Sequence, residues 1–326
     1  MRTVVYGAGG IGGGIGALLA GAGHEVTLIA RGEHLETIRS QGLTVQTPEW
    51  TKTLRLAAVG HPRELDLRGD EVFFFTMKSQ DTLRALEDLL AVAPEAPVIL
   101  AQNGVANERL ARRRFDRVYA MLVFMPAQFL EPGTIALHAT PRRGALHAGV
   151  YPRGIDHRIE AVCRDLRGAG FESDPDSSVM RLKYGKLLTN LGNAVQALCG
   201  LDADMTELTR ELREEGMRCL EAAGIEFVTA RELVARCRRS SALGEIAGRP
   251  RLGGSSWQSA IRGRRSSETD YLNGEVVLLG AHHGVRTPLN RAVQRLAHRA
   301  LRQGLAPGQT SIGDIYAEAR SGGASA

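Results

Sequence analysis

The sequence predicts an α/β fold in two parts: an N-terminal domain built on a parallel sheet with helices on both faces, and an all-helical C-terminal domain. Three observations carry this reading. Short β-rich runs alternate with helical stretches through the first third, a glycine-rich turn joins the first run to its helix, and strand signals stop after a polar stretch at 172–178. The 326 residues are enough for two domains, each with its own core. Hydrophobic residues make up 43% of the chain and charged residues 24%, ordinary globular usage that argues against disorder or a fibrous repeat.

In chain order, Thr3 to Tyr6 reads as a strand, Gly10 to Ala22 as a helix, Glu25 to Ala30 as a second strand and Glu33 to Ser40 as a second helix. Val72 to Thr76 and Val98 to Leu100 continue as strands around a helix over Thr82 to Ala91. Their unbroken apolar runs suit strands covered on both faces. Val118 to Phe124, Thr134 to Leu137 and Ala145 to Val150 read as strands joined by turns such as Glu131-Pro132-Gly133, and are expected to complete the far edge of the same sheet. Beyond the linker-like stretch Glu172 to Ser178, everything to about Gln303 reads as helix with no clear strand. The expected domains are therefore 1–175 and 176–326.

Composition excludes several function classes. The longest apolar stretches, Val72 to Phe75 and Val276 to Gly280, fall far short of the roughly 20 residues that cross a bilayer, so no membrane partner is expected. Glycines at 7, 9, 10, 12, 13, 14 and 16 break the hydrophobic core that a secretory signal would need. Cys163, Cys199, Cys219 and Cys237 are widely spaced without a CxxC pair and read as buried thiols of a cytoplasmic protein. The formal charge of +5 is scattered over arginines interleaved with acids, so nucleic acid is not an expected partner. His282-His283 lacks a third ligand at metal spacing and reads as a helix C-terminus, so no metal is expected.

Gly7-Ala8-Gly9-Gly10-Ile11-Gly12 follows a strand and opens a helix, the context in which GxGxxG binds a dinucleotide. Gly7 permits the tight turn, Gly9 lets backbone approach a pyrophosphate, and Gly12 lets helix and strand pack closely. The helix N-terminus, at Gly10 and Ile11, supplies unpaired N–H groups and the positive end of the dipole. An NAD-binding domain usually carries an acid at the tip of its second strand. Here that tip reads Ile29-Ala30-Arg31-Gly32, and Arg31 offers a planar fork of donors to a 2′-phosphate. The expected cofactor is NADP(H), against the alternative of Arg31 as a solvated arginine.

Arg181 to Leu198 reads RLKYGKLLTNLGNAVQAL, and on one continuous helix Lys183, Lys186, Asn190 and Asn193 fall within roughly 80° of each other. Tyr184, Leu188, Leu191 and Val195 lie opposite, and Gly185, Thr189 and Gly192 form a small flank suited to close helix contact. Lysine is rare in this chain, occurring only at 52, 78, 183 and 186 among 41 basic side chains. The stripe is either a solvated face or the polar wall of a ligand cleft beside the dinucleotide domain, where Lys186 would be the acid. Ser266-Ser267-Glu268-Thr269-Asp270 precedes the apolar run Tyr271 to Leu279 and reads as a capped helix start, and Ser255 or Ser256 likewise suits an N-cap before Trp257.

Taken together, these residues resemble the ketopantoate reductase family, which uses NADPH to reduce 2-dehydropantoate to pantoate. The resemblance runs through most of the chain, on Gly7 to Gly13, Arg31, Met77-Lys78-Ser79, Gln102-Asn103-Gly104, Lys186 to Asn190, Ser255-Ser256 and Glu268 to Gly274. It implies Lys186 as general acid, Glu268 as an orienting group, Asn190 and Ser256 on the substrate's polar groups, Asn103 near nicotinamide and substrate, and Lys78 near the cofactor. It also implies a cytoplasmic enzyme of pantothenate biosynthesis, acting on a small 2-oxo acid, with homodimer assembly left open. The chain departs from the family where an asparagine is usual, at Ala194 and Gly253, and again at Gln258-Ser259 and Met121 to Pro126. Two alternatives therefore stay open: a related dehydrogenase acting on another 2-oxo or amino-acid-derived substrate, and an NADPH-sensing regulator without turnover.

Overall fold

In the computed structural model, which describes residues 2–237, 241–246, 248, 253–261 and 268–322, the chain opens with β1 (Arg2–Tyr6), α1 (Gly10–Gly21), β2 (Val26–Ile29) and α2 (Gly32–Gln41). Three short strands follow, β3 (Leu43–Gln46), β4 (Thr51–Leu54) and β5 (Ala57–Val59). Then come β6 (Glu71–Phe75), α3 (Ser79–Leu90), β7 (Val98–Leu100), α4 (Asn107–Arg112) and β8 (Val118–Met121). The run β9 (Ala127–Glu131), β10 (Thr134–Leu137), β11 (Ala139–Pro141) and β12 (Ala148–Val150) leads to α5 (His157–Gly168).

The main sheet has seven strands in the order β12-β8-β7-β6-β1-β2-β5, all parallel except the edge strand β12, which runs antiparallel to β8. Its strands alternate between two apolar layers, as a period of two requires. Val4, Phe73, Phe75 and Leu100 face Leu86 and Leu89 of α3 and Ala111 of α4. Val5, Phe74 and Ile99 face Ile15 of α1 and Ile159, Val162 and Leu166 of α5. Each such side chain contributes about 1.5–3 kcal/mol on full burial. Asp156 caps α5 through the Ile159 amide at 2.9 Å and also accepts from Tyr119 of β8 at 2.7 Å, which fixes the helix to the sheet.

Thr134 to Leu137, expected at the far edge of this sheet, instead belongs to a separate four-stranded sheet of order β4-β3-β10-β9. The turn at Glu131-Pro132-Gly133 makes β9 and β10 an antiparallel pair, and β10 then runs parallel to β3. α1 therefore lies between two sheets, and its glycines let it approach both. A Cβ at Gly12 would collide with the Gly7 carbonyl and the Thr76 hydroxyl, and one at Gly16 would stand 2.6 Å from Leu28 of the main sheet. On the other side a Cβ at Gly10 would stand 3.0 Å from the Gln128 backbone, and one at Gly14 would strike Met125.

The chain continues as α6 (Val179–Asn190), α7 (Asn193–Cys199), α8 (Thr206–Ala222) and α9 (Ala230–Cys237). A three-residue strand, β13 (Ser241–Leu243), pairs antiparallel with β11, in a stretch expected to hold no strand. It is too short to show a period of its own. Last come α10 (Ser255–Ile261), α11 (Asn273–His283), α12 (Pro288–Gln303) and α13 (Ile312–Gly322). Two units result, one of Met1–Asn103, Asn107–Leu182 and Arg231–Arg251, the other of Gly104–Ala106, Lys183–Ala230 and Leu252–Ala326. The second is helical, with Leu187, Leu191, Val195, Leu212, Leu220 and Val293 in its core. Among the described residues no helix is long and apolar enough to cross a membrane.

The continuous helix expected over Arg181 to Leu198 is broken at Leu191-Gly192. Of the small flank, Gly192 meets a helix as expected, a Cβ there standing 2.7 Å from Thr209 of α8, whereas Gly185 meets a loop, a Cβ there standing 2.5 Å from the Val228 carbonyl.

The contact at Gly12 is between backbone and backbone, so it has little room to relax. Gly12→Ala is expected to destabilise the fold by about 1–3 kcal/mol, the usual range for overpacking, as a lower midpoint of denaturant unfolding. An unchanged midpoint would show that the helix and the turn can part without loss.

Candidate functional site

The glycine turn is held from three sides. Gly7 has φ of +106°, a conformation that side chains disfavour, and a Cβ there would also stand 2.8 Å from the Met77 nitrogen. The Gly7 N–H donates to the Ile29 carbonyl at 3.0 Å, and the Thr76 hydroxyl donates to the Gly7 carbonyl at 2.7 Å. Gly9 differs from its neighbours, because among the described residues nothing lies within 4 Å of the place its Cβ would take. What Gly9 leaves open is space above the N-terminus of α1, where no side chain caps the first N–H groups. An uncapped helix N-terminus of this kind offers its dipole and free N–H donors to an anion.

Arg31 is the N-cap residue of α2, next to the tip of β2, and its side chain is 66% exposed. Its nearest acid is Asp81 in the first turn of α3, at 3.9 Å and itself 39% exposed, a pairing too solvated to hold the guanidinium. The fork therefore stays available to an anion. Lys78 is the N-cap residue of α3 and half-buried.

The Met77-Lys78-Ser79 and Gln102-Asn103-Gly104 segments, far apart in sequence, are tied together. The Gln102 amide donates to the Met77 carbonyl at 2.7 Å and to the Thr82 hydroxyl at 2.8 Å. Asn107 donates to the Ser79 hydroxyl at 3.0 Å. Asn103 stands within this frame, and its Oδ1 is buried with no hydrogen-bond partner among the described residues.

In the helical unit, none of the four stripe residues is solvent-exposed: Lys183 is buried at 3% exposure, and Lys186, Asn190 and Asn193 are half-buried. The solvated-face alternative does not hold. Lys186 and Asn190 sit one turn apart on α6, and the buried Nδ2 of Asn190 has no hydrogen-bond partner among the described residues. The break after Asn190 separates Asn193 from the stripe. Gln196 instead braces the turn before α10, where the Gly254 N–H donates to its Oε1 at 2.6 Å, and Asn193 lies beside the same glycine.

That break frees a carbonyl that a continuous helix would have used, and Asn273 satisfies it. Its side chain donates to the Leu191 carbonyl at 3.1 Å and to Asn290 Oδ1 at 3.0 Å. Asn290 donates in turn to Glu215 at 2.8 Å, and Glu215 accepts the Leu289 and Asn290 amides at 3.0 Å, capping α12 from outside. Asn273, Asn290 and Glu215 are all buried, a polar network joined through side-chain amides and a carboxylate that sequence reasoning missed. Its one signal was a pair of asparagines inside otherwise apolar helix starts.

Glu268 is 6% exposed in a 3₁₀ turn, Glu268–Tyr271, while α11 starts only at Asn273. It is thus not a first-turn acid of the α-helix, and the proposed serine caps at Ser266 and Ser267 lie outside the described residues. Asp270 accepts from Gln294 at 2.6 Å and His298 at 2.8 Å of α12, so it fastens this turn in place. Ser256 is half-buried in the first turn of α10. Ala194 is buried, and Gly253 has φ of +63° with the Trp257 ring 2.7 Å from where its Cβ would lie. The ring fills the space that a side chain at 253 would need. All four cysteines are free thiols, and burial pushes Cys199 and Cys219 up to about 11.

Comparison with known proteins adds the following. The family described as ketopantoate reductase PanE/ApbA matches residues 3–153, and its C-terminal family matches residues 178–300. A 2-dehydropantoate 2-reductase of Halobacterium salinarum is 30% identical over 315 residues, covering 93% of this chain and all of that one. A PanE/ApbA family ketopantoate reductase structure from Ralstonia eutropha superposes with a TM-score of 0.76 at 28% identity, over 93% of this chain and 99% of its own. D-mandelate dehydrogenase, in a ternary structure with NADH and anilino(oxo)acetate, shares the fold at a TM-score of 0.78 and 21% identity, over 94% of this chain and all of its own.

Proposed function

The chain belongs to the ketopantoate reductase PanE/ApbA family, and from that premise we propose that it is an NADPH-dependent reductase of a 2-oxo acid, with 2-dehydropantoate as the substrate and pantoate as the product. This would make it a cytoplasmic enzyme of pantothenate biosynthesis. The observation that carries the reading is the buried Nδ2 of Asn190, one turn from Lys186 and without a partner among the described residues. A buried donor left unmade costs about 1–3 kcal/mol, so its retention argues for an acceptor on a ligand.

The open space at Gly9 and the uncapped start of α1 fit a dinucleotide pyrophosphate, held by the N–H groups of Gly10, Ile11 and Gly12. When bound, a nicotinamide cofactor would supply the hydride that the carbonyl carbon takes up. Lys186 donates a proton to the carbonyl oxygen, and its positive charge stabilises the alkoxide as it develops. Asn190 donates a hydrogen bond to a substrate oxygen, Ser256 holds a second polar group, and Asn103 accepts from a substrate hydroxyl or the cofactor amide through Oδ1. Glu268 orients the substrate and the proton being transferred. Arg31 would hold the 2′-phosphate through its fork of donors, and Lys78 would add charge beside the cofactor.

A second reading has one observation in its favour. With Trp257 filling the space over Gly253, the chain presents an aromatic ring where its family usually has an amide, which suits a 2-oxo acid with a different side chain. A panel of 2-oxo acids with NADPH separates the two readings.

Two substitutions test the assignments. Lys186→Ala is expected to lower kcat by about 100-fold or more, the range for loss of a general acid, while the NADPH dissociation constant changes less than about threefold. Near-native turnover would refute the acid role. Arg31→Ala is expected to raise KM for NADPH about tenfold and leave KM for NADH unchanged, as for a group that meets only the phosphate. Equal effects on both cofactors would remove the 2′-phosphate role.

A further inference from the structure

His34, on the first turn of α2, has both ring nitrogens bound to backbone. Its Nδ1 accepts from the Gly133 N–H at 2.9 Å, which leaves Nε2 carrying the hydrogen, and Nε2 donates to the Ala8 carbonyl at 2.7 Å. The ring stands edge-on to Phe129 of β9, with centroids 4.9 Å apart. Burial pulls the imidazole below the usual histidine pKa and so favours the neutral form that these two bonds require.

The Ala8 carbonyl lies just outside the α1 ladder, which begins with the Gly13 N–H donating to the Gly9 carbonyl at 2.7 Å. The other end of the same peptide is also held, because the Gly9 N–H donates to the Gly7 carbonyl at 2.9 Å. The Ala8-Gly9 peptide therefore has a fixed plane, set by His34 on one edge and by Gly7 on the other. Gly9 is the one glycine of the turn with open space above it, so this plane decides how the turn faces what binds there.

We infer that His34 is a positioning residue for dinucleotide binding: it ties the Ala8-Gly9 peptide to the β9–β10 turn and so presets the phosphate-facing turn before the ligand arrives. The inference rests on the dinucleotide reading of that turn. His34 touches no reacting atom, and its effect falls on cofactor affinity through preorganisation.

The test uses the full chain with NADPH. His34→Gln keeps a donor and an acceptor on one side chain, whereas His34→Phe keeps the packing on Phe129 and loses both bonds. His34→Phe is expected to raise the NADPH dissociation constant about tenfold with kcat at saturating NADPH reduced less than about threefold, and His34→Gln to recover most of the affinity. Native-like affinity in His34→Phe overturns the inference, as does equal weakening in both variants. A measurement on the unmodified protein does not depend on how the variants fold: hydrogen exchange at the Gly133 amide is expected to slow severalfold on saturation with NADPH. Unchanged exchange with NADPH bound overturns the inference, while failure of the native chain to bind NADPH at all overturns the dinucleotide reading instead.

Discussion

The structure depends first on how closely α1 approaches its neighbours. Gly12 meets the Gly7 carbonyl and Thr76, Gly16 meets Leu28, and Gly10 and Gly14 meet the second sheet at Gln128 and Leu137. A helix with ordinary side chains at these places would stand off by about the thickness of a methyl group on each side, and interiors packed to crystal density do not absorb such a gap. The approach therefore fixes where α1 begins, and with it the direction of its first N–H groups. The binding potential of the turn is a by-product of this packing: among the described residues Gly9 has no neighbour to avoid, so an outside group can come close there.

In the helical unit the corresponding constraint is a helix that stops. The break at Leu191-Gly192 ends α6 just after Asn190 and exposes the Leu191 carbonyl, which Asn273 takes. Asn273 is held by Asn290, and Asn290 by Glu215, so four elements meet through one buried polar chain. Removing one member of such a chain would strand the rest, which is why networks of this kind specify a single arrangement. The Asp270 contacts with Gln294 and His298 do the same on the surface side of the motif. Most of the Glu268 to Gly274 segment thus serves to hold the helices in register.

Much of this was legible in the sequence, and the failures share a cause. The central strands declared themselves as unbroken apolar runs, and Val98–Leu100 and Thr134–Leu137 fall at their expected bounds. The glycine turn was readable because each glycine does a separate steric job within a few residues. The sheet that receives Thr134–Leu137 was not readable, because strand pairing is chosen over long separations and a short strand carries no label of its partner. β13 was missed for the same reason. The break in the stripe helix was hidden because Leu191-Gly192 continues the helical apolar pattern, and the group that stabilises the break comes from Asn273, 82 residues later. The tie made by His34 was not readable either, since its partners are backbone atoms 26 and 99 residues away. Local chemistry was legible, and long-range polar pairing was not.

These two constraints place a lysine and an amide one turn apart near the end of α6, and the proposed function has them receive the oxygen atoms of a 2-oxo acid. The most direct measurement is a crystal structure with NADP⁺ and a non-reactive 2-oxo acid analogue. An oxygen of the analogue is expected within hydrogen-bond distance of Lys186 Nζ, with another accepting from Asn190 Nδ2. An analogue bound in the crystal with neither residue in contact would contradict the proposed function.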